Sequence, residues 1–141
     1  MASSEATSNF VPLRDGKLVN ELLRDPKKPF TERFAVIRAL RFFYNWKPDK
    51  YKKQVLAALQ LVLQQGDIAD LAIEDLRRWK LWDLTDQVLS KYGKKSHDVP
   101  VVQRSIIRYA LSCPLPEAKH FVAEVRRRNP DLVRDLEMQL Q

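Results

Sequence analysis

Proline and glycine residues divide this chain into segments that are each long enough for one helix. Proline ends a helix or occupies its first turn, and glycine suits the position just past a helix end. With only three glycines in the sequence, a fold rich in sheets and tight turns is not expected. None of the breakers interrupts an apolar helical pattern: Pro26, Pro29, Pro48, Gly66, Gly93, Pro100, Pro114, Pro116 and Pro130.

Between the breakers, apolar residues recur with the period of a helix. The pattern i, i+4, i+7, i+8 is typical of a helix with one buried face, and no stretch shows sustained period-two alternation. The clearest examples are Tyr51, Val55, Ala58, Leu59 and Val62; Val102, Ile106, Tyr109, Ala110 and Cys113; Ala118, Phe121, Val122 and Val125; and Phe34, Ile37 and Leu40. The sequence therefore predicts an all-α fold.

The stretch EDLRRWKLWDLTD, residues 74–86, has no proline or glycine, so periodicity must decide whether it is one helix. Two apolar stripes, rotated by roughly 120° from each other, meet in it. They are Ala69, Ala72, Ile73, Leu76 and Trp79, then Leu81, Leu84, Val88 and Tyr92. We expect a break near Lys80, covered by Trp79 and Trp82. The alternative is a stacking platform for bases, with Arg77, Arg78 and Lys80 on phosphates.

Four stretches of the chain share one pattern: an amphipathic helix, a turn aspartate, and a second amphipathic helix. Leu40, Leu76 and Leu111 recur at intervals of about 35 residues, a period typical of helical-hairpin solenoids. The approximate units are 15–47, 48–80, 81–114 and 115–141, and their turn aspartates are Asp25, Asp67, Asp98 and Asp131. In the first unit Thr31 is the better helix cap. Residues 1–14 are expected to be a flexible arm ahead of one domain, 15–141.

The segment SHDVPVVQRSIIRYAL resembles the second half of a HEAT repeat. Its turn aspartate, proline, valine and arginine match by type, although the arginine is one place late; they are Asp98, Pro100, Val102 and Arg104. The resemblance implies a short right-handed α-solenoid of about four stacked antiparallel helix hairpins. Armadillo-type and other hairpin arrangements stay open. The final helix, 131–140, has one stripe (Leu132, Leu136, Leu140), as expected of a capping helix.

The resemblance also implies that the second helices line one continuous concave face. Arginines are concentrated on these helices: Arg33, Arg38, Arg41, Arg77, Arg78, Arg104, Arg108 and Arg134. The planar guanidinium suits carboxylate and phosphate, so this row would bind an extended anionic partner. The alternative is that the arginines pair internally with turn aspartates or with Glu32, Asp70, Glu74, Asp75 and Asp135.

Composition restricts the class of partner and the compartment. A net charge of +7 favours acidic partners. A single cysteine excludes an internal disulfide framework and fits a reducing compartment. No segment approaches the roughly 20 apolar residues of a membrane span, and no secretory signal is visible at the start of the sequence. We expect a cytoplasmic protein without a membrane span.

Residues suited to catalysis or metal binding are few. Cys113 lies on an apolar stripe, His97 falls in a polar loop and His120 is expected to be exposed. This spacing fits no metal site, and there is no glycine-rich phosphate loop. We therefore expect no enzyme, cofactor or metal. The predicted function is binding of a protein or acidic peptide along the arginine-rich second-helix face, with nucleic-acid binding through the same face as the alternative. The sequence does not indicate the oligomeric state.

Overall fold

The computed structural model describes residues 17–141, and this part of the chain contains eight α-helices, one 3₁₀ turn and no strand. The prediction of an all-α chain is thereby confirmed, while the predicted arm, 1–14, lies outside the described residues. The helices are α1 Lys17–Arg24, α2 Phe30–Trp46, α3 Pro48–Leu63, α4 Ala69–Arg78, α5 Thr85–Ser90, α6 Pro100–Ser112, α7 Pro116–Arg128 and α8 Pro130–Gln139, with the 3₁₀ turn at Lys95–His97.

Two compact units make up the chain, Met1–Val62 and Leu63–Gln141. In the first unit α1 packs on α2, and both helices contribute fully buried leucines, Leu23 and Leu40. At the end of α2, the ring of Phe43 packs edge-on against Tyr51 at 5.0 Å between centroids. The finer division into four hairpin units stays a prediction.

The start of α2 differs from the prediction. The helix begins at Phe30 with Pro29 in the cap position, and no side chain makes a capping hydrogen bond there. The carbonyl of Pro29 accepts from the backbone N–H groups of Glu32 and Arg33, at 3.1 and 3.2 Å. Pro29 itself is extended, with φ of −55° and ψ of 146°, and helical geometry begins at the next residue, Phe30. Thr31 is therefore an exposed residue of the first turn, and its prediction as the cap is wrong.

The predicted break near Lys80 is confirmed, since α4 ends at Arg78 and α5 begins at Thr85. The helix ends in a Schellman motif: the N–H of Leu81 donates to the Leu76 carbonyl at 2.9 Å, and the N–H of Lys80 to the Arg77 carbonyl at 3.1 Å. This motif requires a left-handed residue, and Lys80 has φ of 55°. Trp79 and Trp82 are both half-buried, in agreement with the prediction that they cover the corner.

Replacing Lys80 with glycine is expected to raise the free energy of unfolding by about 1 kcal/mol, because glycine adopts the left-handed conformation without a Cβ penalty. Urea denaturation followed by circular dichroism would measure this change. Lys94→Gly is the control, because Lys94 is an exposed lysine with φ of −77° and has no strain to relieve. A stability loss at Lys80→Gly as large as that of the control would contradict the explanation.

Helix α6 is the centre of the second unit, where it packs against α4, α5, α7 and α8. Its Tyr109 is fully buried, and the hydroxyl lies 2.8 Å from Thr85 Oγ1 and donates to the Leu81 carbonyl at 3.3 Å. Burial raises the pKa of Tyr109 to about 12. The Trp82 ring meets the Tyr109 ring edge-on at 5.2 Å. Helix α6 thus fixes the corner between α4 and α5.

The 3₁₀ turn places a histidine in the interior of the second unit. His97 is 1% exposed, its Nε2 donates to the Leu63 carbonyl at 2.7 Å, and Ser96 Oγ donates to its Nδ1 at 2.7 Å. The sequence correctly indicated a polar loop but did not indicate that the ring is buried. Nε2 therefore ties the turn to Leu63, while the bond from Ser96 to Nδ1 lies within the turn itself.

Candidate functional site

The predicted arginines of the second unit are mostly engaged with carboxylates. Four of these five arginines form ion pairs within the unit: Arg77 and Arg108 with Glu74, Arg78 with Asp75, and Arg134 with Asp131. The fifth, Arg104, is exposed on α6. Internal pairing, the alternative raised from the sequence, therefore accounts for most of this group, and one turn aspartate, Asp131, takes part in it.

Glu74 connects two of these arginines. Its carboxylate accepts from Arg77 Nε at 3.0 Å and from Arg108 Nε at 2.9 Å, although Arg108 lies 34 residues later. Burial alone would raise the pKa of Glu74, but the hydrogen bonds and charges of Arg108 and Arg77 outweigh it and the pKa is lowered. The carboxylate is therefore ionised and ties α4 to α6.

Asp75 anchors the neighbouring arginine. This carboxylate is 1% exposed and accepts from Arg78 Nη2, while the Arg78 side chain itself is half exposed. A buried carboxylate needs such a partner, because an unpaired charge is strongly unfavourable in the interior. Arg78 thus has one side facing the protein and the other facing solvent.

The three predicted arginines of the first unit differ from one another. Arg33 is buried, and its Nε donates to the Lys28 carbonyl at 2.9 Å, which ties α2 to the preceding loop. The Arg41 guanidinium lies over the Phe34 ring at 5.8 Å. Arg38 is exposed. The three are thus not equivalent, and Arg38 is the most accessible of them.

An exposed set of aromatic side chains on α2 was not predicted. Phe30, Phe42 and Trp46 are 51%, 59% and 56% exposed. Residues four apart are neighbours on a helix, so these side chains follow one i, i+4 ridge, which we call the aromatic row. The ridge winds around α2, and at about 100° per residue Phe30 and Trp46 lie on different sides of the helix. Its members are Phe30, Phe34, Arg38, Phe42 and Trp46. A signal was present in the sequence, because α2 carries more apolar residues than one buried stripe needs.

Cations surround the C-terminal end of the aromatic row. Lys47 Nζ lies 4.7 Å from the Trp46 ring, and Lys50 Nζ lies 5.4 Å from the Tyr51 ring. The Trp46 ring also stacks on Phe42 and on Tyr51, each at 6.3 Å between centroids. Met1–Val62 contains 12 of the 25 Lys and Arg residues but only 6 of the 18 Asp and Glu. The excess positive charge of the protein is therefore concentrated in the first unit.

A second surface feature is a cleft of about 470 Å³ at the corner between α4 and α5. The residues that line it are Arg77, Arg78, Lys80, Trp82, Ser112 and Pro114. We call it the corner cleft. Among the described residues that line it, none is acidic.

Within residues 17–141, no three His, Cys, Asp or Glu side chains are grouped so that they could hold a metal ion. Cys113 is buried, as expected for a residue on the apolar stripe, and His120 is exposed, also as expected. No helix in the described part of the chain has the length and apolar character needed to cross a membrane.

Comparison with known proteins does not identify a relative: no family model matches the chain, and no curated protein or solved structure is significantly similar to it.

Proposed function

We propose that this chain is a non-enzymatic module, built as a short HEAT-like stack of helix hairpins, that binds an acidic protein segment through the aromatic row. The observation that carries the proposal is the exposure of Phe30, Phe42 and Trp46 on one helix of a strongly basic unit. Large exposed aromatic side chains are the anchors most often found at the centre of protein interfaces.

Of the eight arginines predicted to bind a partner, this proposal retains Arg38 as the contact residue. Most arginines of the second unit already have carboxylate partners, whereas Arg38 lies within the aromatic row between Phe34 and Phe42. A partner with apolar side chains would cover the rings, and its carboxylates would meet Arg38 and Lys47. Charge of this kind mainly speeds association and selects acidic partners, while ring burial supplies most of the affinity.

Single-stranded nucleic acid is the second candidate, because exposed rings next to cations are also a platform for bases. The packing of the rings favours a protein partner. Trp46 stacks between Phe42 and Tyr51, and Lys47 lies over its ring. Base stacking needs an open ring face, whereas a protein side chain can pack against ring edges and the spaces between them.

Fluorescence anisotropy with three labelled probes would test this function: a peptide of alternating Glu and Phe, the same peptide with Ser for Phe, and oligo(dT). We expect the Glu–Phe peptide to bind most tightly. The double variant Phe42→Ala/Trp46→Ala should weaken that binding at least about tenfold, because each truncated anchor costs on the order of 1 kcal/mol or more. Arg38→Glu should weaken the binding of both peptides.

Met138→Ala is the matched control, since Met138 is 64% exposed and lies outside the aromatic row. It should leave the affinity of every probe unchanged. Equal binding of the Glu–Phe peptide to the wild type and the double variant would contradict the proposed surface. Tighter binding of oligo(dT), lost in the same double variant, would establish the nucleic-acid alternative in place of the protein partner.

A further inference from the structure

The corner cleft belongs to the second unit and is independent of the aromatic row. Three of the six lining residues are cations, and Trp82 and Pro114 supply apolar surface. Its volume of about 470 Å³ is within the range in which proteins hold small ligands or single side chains. The cleft therefore combines positive charge with a flat apolar wall.

Two of the cations that line the cleft are already paired with carboxylates of α4. Arg77 is fixed by Glu74 at 3.0 Å, and Arg78 is fixed by the buried Asp75. A guanidinium has five N–H donors, so an arginine that uses some of them on a carboxylate keeps others for a ligand. Because these side chains are already ordered, binding an anion would cost little side-chain entropy.

The three cations that line the cleft outnumber the two carboxylates that pair with them, Glu74 and Asp75. Glu74 is shared between Arg77, which lines the cleft, and Arg108, which also interacts electrostatically with Asp70. Asp75 serves Arg78, and Lys80 adds a further exposed cation to the lining.

The conformation of Lys80 gives a second, independent indication. The Schellman motif that ends α4 is completed most easily by glycine, because a left-handed conformation is unfavourable for a residue with a Cβ. This chain has lysine there, with φ of 55°, and that lysine lines the cleft. Unusual backbone conformations of this kind are concentrated at functional sites. Ending the helix does not require a lysine, whereas binding an anion in the cleft would use its charge.

We propose that the corner cleft binds a carboxylate or phosphate group carried on a flat apolar body, such as an aryl ring. The anion is bound by Arg77, Arg78 and Lys80, and the flat body packs against Trp82 and Pro114.

The test uses the full chain and follows its indole and backbone N–H signals by ¹⁵N NMR during titration with phenyl phosphate, benzoate and inorganic phosphate. The Trp82 indole signal and the amide of Lys80 should shift saturably with phenyl phosphate. Affinity for inorganic phosphate should be about tenfold weaker, because that ion lacks the ring that would pack on the indole. Comparison of phenyl phosphate with benzoate distinguishes a phosphate source from a carboxylate source.

Lys80→Asn is the informative variant, because asparagine tolerates the left-handed conformation but has no charge. It should lower the affinity for phenyl phosphate about tenfold, consistent with the loss of one charge-assisted hydrogen bond. Lys94→Asn removes the same charge from a lysine that does not line the cleft and should leave the affinity unchanged. Equal losses in the two variants, the absence of a saturable shift at Trp82, or equal affinity for phenyl phosphate and inorganic phosphate would overturn the proposal.

Discussion

Replacing Gly66 with alanine is expected to lower the free energy of unfolding by about 3 kcal/mol, at the upper end of the usual cost of overpacking. A Cβ at this position would lie 1.8 Å from the carbonyl oxygen of Ser96 and 2.9 Å from its carbonyl carbon. These are backbone atoms and cannot move aside as a flexible side chain can. The adjacent His97 also holds the turn in place through its hydrogen bond to the Leu63 carbonyl, at 2.7 Å.

Urea denaturation with circular dichroism would measure this loss, and Gly93→Ala is the matched control. Gly93 has φ of 77°, and no heavy atom lies within 4 Å of the position that a Cβ would occupy, so alanine there meets strain but no clash. The control should cost only about 1 kcal/mol, the usual penalty for a left-handed residue with a Cβ. If both substitutions cost the same, close packing of Gly66 against the 3₁₀ turn would not be the cause.

Glu74→Gln is expected to lower the free energy of unfolding at pH 7 by about 2 kcal/mol, the scale of hydrogen bonds to a charged group. The substitution preserves the shape of the side chain but leaves Arg77 and Arg108 without their shared negative charge. Both arginine side chains are mostly buried, at 23% and 19% exposed, so solvent replaces the lost carboxylate only in part.

The effect of Glu74→Gln should depend on pH in a defined direction. Since the folded-state pKa of Glu74 lies below its ordinary value of 4.5, its contribution is complete above that pH and is lost as the pH falls through the folded pKa. The pKa of the neighbouring Asp70 is shifted in the opposite direction: burial, and then the charge of Glu74, raise it. Protonation of Asp70 in acid therefore removes the unfavourable free energy of holding a buried charge near Glu74. The stability difference between wild type and variant should therefore shrink as the pH falls below 4.5.

Denaturation curves for wild type and variant between neutral pH and strong acid would measure that trend. Glu124→Gln is the control, because it removes the same charge from an exposed pair with Arg127. Exposed pairs contribute little to stability, so this variant should behave nearly as the wild type. A Glu74→Gln difference that stays constant in acid would show that the ion pairs are not its source.

Helix positions could be predicted from the sequence because their causes are local. Proline and glycine spacing separated most of the helices, and the change of apolar stripe alone placed the break near Lys80. Tyr51, Val55 and Val62 are all buried, as the periodicity predicted. Local rules also gave one wrong result: the cap residue of α2 is Pro29 and not Thr31. In α8, Val133 and Leu136 are buried. Of the predicted stripe, Leu132 is half-buried, and so is Leu140, which directly follows the helix.

The candidate sites were less predictable because they depend on neighbours that are distant in sequence. Arg108 pairs with Glu74, which lies 34 positions earlier on another helix. The periodicity of a single helix does not indicate which residue of another helix its side chains will meet. The same holds for His97, which is buried only because its turn packs on Leu63. The aromatic row was missed for a different reason: apolar residues on several sides of α2 hide which side faces solvent.

Because Cys113 is buried, the rate at which its thiol reacts can be used to follow local opening of the structure. It is the only thiol in the sequence and is 3% exposed, and it directly follows the last residue of α6. A thiol reacts as the accessible thiolate, so the burial of Cys113 slows its reaction with a labelling reagent until the chain around it moves. The rate of its modification under native conditions therefore reports local opening at the C-terminal end of α6, without any added probe.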